Sequence, residues 1–68
     1  MDQTLFEFIS EKAYTQDKSL SKIAKEIKVS YPTILNIKHR APSRMTYYKL
    51  AKCFDIDVKE LQQYPITR

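Results

Sequence analysis

The chain contains no glycine, one cysteine and one histidine. Loops that cradle phosphates need glycine so that the backbone can approach the anion, so a nucleotide-binding loop of that kind is excluded. One cysteine cannot close an internal disulfide, and no Cys/His cluster offers zinc-ligand spacing. There is no Ser/His/acid set and no Cys/His pair for nucleophilic catalysis, so the sequence gives an enzyme little to work with. No apolar run approaches the roughly 18 residues of a membrane span. Asp2 and the absence of an apolar stretch behind it argue against a signal peptide. The expectation from these absences is a cytoplasmic protein with no metal, no cofactor and no membrane partner.

What is present is enough for one small domain over 1–68. A domain of this size buries only about 60% of its unfolded surface, so apolar packing, reinforced by any dimer, has to supply its stability. Charge is unevenly placed. Residues 18–52 hold Lys18, Lys22, Lys25, Lys28, Lys38, Arg40, Arg44, Lys49 and Lys52 against Glu26 alone, a net of +8. The flanks hold three basic and seven acidic residues, a net of −4, which leaves +4 overall. A lysine-rich solvated face is the plain explanation. A surface that meets a polyanion explains better why the flanks have the opposite sign.

Apolar spacing is helical throughout, and no strand alternation, internal repeat or low-complexity segment occurs. Thr4 with Glu7 reads as a capping box that opens a helix over 4–14, with Leu5, Phe8 and Ile9 inward. Residues 15–18 read as a polar loop. Ser19 caps a second helix over 20–27, in which Leu20, Ile23, Ala24 and Ile27 form one stripe. Lys28 falls where a helix end usually turns left-handed, a conformation that costs a lysine about 1 kcal/mol. Ser30 caps a third helix over 30–39, in which Pro32 is tolerated in the first turn and Ile34 and Ile37 point inward. Pro42 ends it. Ser43 caps a fourth helix over 44–53 with Tyr47, Leu50, Ala51 and Phe54 inward and Cys53 as a small semi-buried filler. Asp55 takes a second left-handed position. Asp57, with Glu60 completing a capping box, opens a short fifth helix containing Val58 and Leu61. Tyr64, Pro65 and Ile66 belong to a tail over 62–68 that either packs or frays. The expected fold class is all-α, with a helix-turn-helix over about 19–39.

From Ser19 to Leu61, about two thirds of the chain, the sequence resembles the Cro/C1-type, phage-repressor-like helix-turn-helix family. The resemblance rests on a polar cap, Ile23-Ala24, five residues from Ala24 to Val29, Ser30, Thr33-Ile34, Ile37, Pro42-Ser43, Lys49-Leu50-Ala51-Lys52 and Ile56-Asp57-Val58-Lys59-Glu60-Leu61. Ser19-Leu20 and Val29-Ser30-Tyr31-Pro32-Thr33 also look like the LacI-type headpiece, which lacks this continuation. Lys28 replaces the family's usual glycine, the loop after the third helix is short, and Leu20 stands in place of a common backbone-contacting glutamine. The resemblance implies a compact five-helix, lambda-repressor-like domain. It also implies a sequence-specific transcriptional regulator, a small Cro-like repressor of phage or prophage type on operator DNA.

In that family the start of the third helix meets base edges in the major groove. By position, Tyr31, Pro32 and Asn36 correspond to base-reading residues, with Thr33 beside them. The Asn36 amide can donate and accept together, which suits adenine; its plain alternative is a solvent-exposed residue near a helix end. Tyr31 can meet a thymine methyl, give its hydroxyl to a phosphate, or simply pack on the second helix. Pro32 and Thr33 offer apolar or single hydrogen-bond contacts. Candidate phosphate contacts are Ser19, Lys22, Ser30, Lys38, His39, Arg40 and Arg44. His39 also reads as an ordinary helix-end residue. Family members commonly dimerise on palindromic half-sites. Here a homodimer has to use the fifth helix and tail (Val58, Leu61, Tyr64, Ile66) or form only on DNA. A competing expectation is a helix-turn-helix that binds a protein, as an anti-repressor or antitoxin would, through an apolar patch with Leu35, Tyr48 and Tyr64. A weaker one is a charge-driven, non-specific nucleic-acid binder.

Overall fold

The computed structural model describes residues 3–67, so Met1, Asp2 and Arg68, and with them the leader argument made on Asp2, lie outside the described residues. Five α-helices and no strand are found among the described residues: α1 (Leu5–Thr15), α2 (Leu20–Glu26), α3 (Tyr31–Leu35), α4 (Arg44–Phe54) and α5 (Val58–Gln62). A 3₁₀ turn, Asn36–Lys38, continues α3. The fold class is all-α. The radius of gyration is 10.7 Å, close to the roughly 11 Å of a packed chain of this length. None of these helices is long and apolar enough to cross a membrane.

Each helix starts where a small polar residue can accept from its first unpaired N–H groups. The Glu7 N–H donates to Thr4 Oγ1 (3.2 Å) and the Thr4 N–H donates back to Glu7 Oε1 (2.9 Å), which closes the capping box of α1. Ser19, Ser30 and Ser43 accept from the N–H groups of Lys22, Thr33 and Thr46. The box expected at α5 does not close. Asp57 accepts from the nearer Lys59 N–H at 3.0 Å instead. That shorter reach spends the carboxylate on the second helical position and leaves Glu60 exposed.

Three helices end in the same way. Asp17, Lys28 and Asp55 have φ of 56°, 61° and 57°, the left-handed region. At each, the next residue's N–H reaches back across the turn: Lys18 to Ala13 O (3.0 Å), Val29 to Ala24 O (2.9 Å) and Ile56 to Ala51 O (3.0 Å). Lys28 and Asp55 were expected there. Asp17 was not, since 15–18 read only as a loop. Aspartate accepts this conformation with local hydrogen bonding, whereas lysine has no such help.

The core gathers Leu5, Phe8, Ile9 and Ala13 from α1, Ile23 and Ala24 from α2 with Ile27 just past its end, Ile34 and Ile37, Leu50, Ala51 and Phe54 from α4, and Leu61. The tail packs. The Leu5 N–H, unpaired within α1, donates to the Pro65 carbonyl at 2.8 Å. The Tyr64 ring stacks on Phe8 with centroids 4.3 Å apart, and Ile66 lies against the core. Burying these three against α1 ties the end of the chain to its beginning.

Candidate nucleic-acid interface

The third helix is shorter and tighter than the expected span of 30–39. Five α-helical residues give way to the 3₁₀ turn, in which the His39 and Arg40 N–H groups both donate to the Asn36 carbonyl (3.0 Å each). A 3₁₀ turn has three residues per turn, so residues three apart align. That brings Ile37 under the same side as Ile34 and lets both sink into the core, at 1% and 0% exposure. α2 and α1 pack against this stretch. The buried isoleucines anchor the segment from below and fix which residues face out.

Those that face out are Tyr31, Pro32 and Asn36, with Lys38, His39 and Arg40 after them. Tyr31 is 43% exposed. The Tyr31 hydroxyl and the Asn36 carboxamide have no hydrogen-bond partner among the described residues. Thr33 differs: it is half-buried, and its Oγ1 sits 2.7 Å from Ser30 Oγ. The hydroxyls of Ser30 and Thr33 are thus joined in the cap. Ser19 and Lys22 lie exposed at the start of α2, and Arg44 is the exposed first residue of α4. Lys38 is held sideways, its ammonium 4.9 Å from the centre of the Phe6 ring. There it rims a shallow depression of about 370 Å³ with Thr4, Phe6, Glu7, Ile66 and Thr67.

The expected partner surface needs correction. Leu61 is fully buried in the core, at 0% exposure, and cannot meet a partner. Its place opposite α4 on a helix of one and a half turns leaves no solvent side for it. Val58, Tyr64 and Ile66 are half-buried against the core, and Tyr64 is engaged with Phe8. Leu35 is half-buried too. Besides Tyr31, the large apolar side chains that stand in solvent among the described residues are Tyr14, Met45 at 64% and Tyr48 at 55%. Met45 went unnoticed in the sequence, although its spacing of three from Tyr48 puts both on one side of α4.

Burial raises the pKa of the Tyr47 hydroxyl. It also raises that of the Cys53 thiol, with nearby Glu26 adding to the rise and Lys18 opposing it. The Lys18 ammonium is raised by its hydrogen bond to Glu26. Among the described residues no group of three or more His, Cys, Asp or Glu converges in a way that would hold a metal ion. Comparison with protein-family models, with curated proteins and with solved structures gives no match for this chain.

Proposed function

We propose that this chain is a sequence-specific DNA-binding transcriptional regulator, a small Cro-like repressor in kind, which occupies operator DNA in the cytoplasm. The observation that carries the reading is the arrangement of α3. Ile34 and Ile37 are locked into the core while Tyr31, Pro32 and the unpartnered Asn36 face solvent. A segment held this way can enter a major groove with little further ordering. Asn36 then reads adenine through N6 and N7, Tyr31 and Pro32 meet thymine methyls, and Thr33 adds its methyl. Ser19, Lys22, Ser30, His39, Arg40 and Arg44 take phosphates. Lys38 joins them once it leaves the Phe6 ring. Dimerisation on DNA would involve Val58 or Ile66, which keep part of their surface. Selecting bound sites from a random duplex pool tests this reading. A palindromic preference with half-sites about one helical turn apart supports it; equal affinity for all sequences sinks it.

One observation favours a second reading, a helix-turn-helix that binds a protein: Met45 and Tyr48 form an exposed apolar pair on α4. A stable complex with a repressor or toxin that forms without DNA and is lost in Tyr48→Glu would favour it over DNA binding.

A further inference from the structure

The far ends of α2 and α4 form a groove of about 400 Å³ lined by Lys18, Glu26, Ile27, Lys28, Lys49, Lys52 and Cys53. None of the side chains assigned above to bases or phosphates lines it. Its volume lies within the roughly 300–1,000 Å³ of small-molecule sites. Four lysines face one carboxylate, and that carboxylate is taken: Lys18 Nζ holds both Glu26 oxygens, at 2.8 and 3.0 Å. Lys28, Lys49 and Lys52 have no acidic partner among the described residues. Three lysines without an acidic partner thus line one groove together with Ile27 and Cys53, which carry no charge. The groove is open to solvent, and like charges gathered along it raise the local concentration of anions.

Lys28 adds an independent sign. Of the three left-handed helix ends, two use aspartate, which tolerates the conformation; the one that faces this groove uses lysine, which does not. Strain kept at one position, when a tolerant residue serves the same turn elsewhere in the chain, marks a side chain wanted for what it does. We infer that the groove is a second anion site, which takes a small ligand with two or more adjacent phosphoryl groups. Such a ligand supplies several charges to three lysines that have no acidic partner of their own. The site is separate from the α3 face and does not rest on the function proposed for it.

The test is a titration of the full chain with sodium triphosphate at low ionic strength, followed in amide NMR spectra. Saturable one-to-one shifts centred on Ile27, Lys28, Lys49, Lys52 and Cys53 are expected. Lys49→Gln and Lys52→Gln should each weaken binding about threefold, as for exposed ion pairs. Lys28→Gly should weaken it similarly while making the fold more stable, so that loss of binding cannot be laid to misfolding. A duplex oligonucleotide, added in a second arm, separates free phosphates from nucleic acid: it should leave triphosphate binding intact. Unsaturable shifts spread equally over Lys22, Lys25 and Lys59 would overturn the site, as would competition between duplex and triphosphate. The first would mean that the lysines serve only the helix C-termini, the second that the groove belongs to a DNA footprint.

Discussion

On the α3 face the side chains are fixed from below. Ile34 and Ile37 are buried, Ser30 and Thr33 close the cap, and what points outward is a small set of polar and aromatic groups with defined positions. In the groove between the ends of α2 and α4 the order is reversed. Ile27 and Cys53 line it, but the charge sits on long lysine stems, and Lys18 is the one held by a partner. Both surfaces are basic. On the proposed reading the first discriminates, because hydrogen-bond geometry carries sequence information. On the inference drawn above the second attracts, because flexible point charges accept many arrangements of phosphate.

The comparison breaks most completely when the common support is removed. Ile34→Ala should cost about 2–5 kcal/mol, the range for a fully buried branched side chain. That is much of the roughly 3–10 kcal/mol available to a chain this size. Denaturant unfolding measures it, and loss of both surfaces together is the expected outcome. Next in size, Asn36→Ala should cost about 1–3 kcal/mol of discrimination at one base step and leave the salt dependence unchanged. Arg40→Ala should weaken all duplexes alike and reduce the salt slope by about one. Competition binding at several salt concentrations separates the two effects.

Smaller again, Lys28→Gly should stabilise the fold by about 1 kcal/mol, because glycine carries no left-handed penalty. Thermal melts check the gain, and operator affinity should not change. The smallest effect is at alkaline pH. Cys53 and Tyr47 have raised pKa values in the fold, so the unfolded chain loses their protons first. Their contribution is complete below the ordinary thiol value of 9.0 and fades as pH rises through the folded values. Cys53→Ala should remove the earlier part of that decline in melts taken across the alkaline range.

What was legible in the sequence is what local chemistry decides. Caps at Thr4, Ser19, Ser30 and Ser43 and the stripes behind them gave the helices and nearly all of the core. The left-handed ends at Lys28 and Asp55 were legible because each follows the last apolar residue of its helix, Ile27 and Phe54. Asp17 escaped because polar Thr15 and Gln16 precede it, so no apolar residue marks where that helix stops. The tightening of α3 escaped as well, since it follows from Ile37 reaching for the core, a tertiary demand. Leu61 was misplaced on a surface for the same reason: on a helix this short, one apolar residue has no stripe to show which side is buried. The groove was foreshadowed only as an excess of charge from Lys18 to Lys52. Which four of those lysines meet depends on how the ends of α2 and α4 come together.

The central claim is that α3 reads sequence through side chains its buried isoleucines hold in place. It is tested most directly by comparing the chain and its Asn36→Ala variant on a selected operator and on a scrambled duplex across a salt series. The expected result is a strong preference for the operator that Asn36→Ala reduces, with equal salt slopes for the two proteins. The same affinity for operator and scrambled duplex, unaltered by Asn36→Ala, would contradict it.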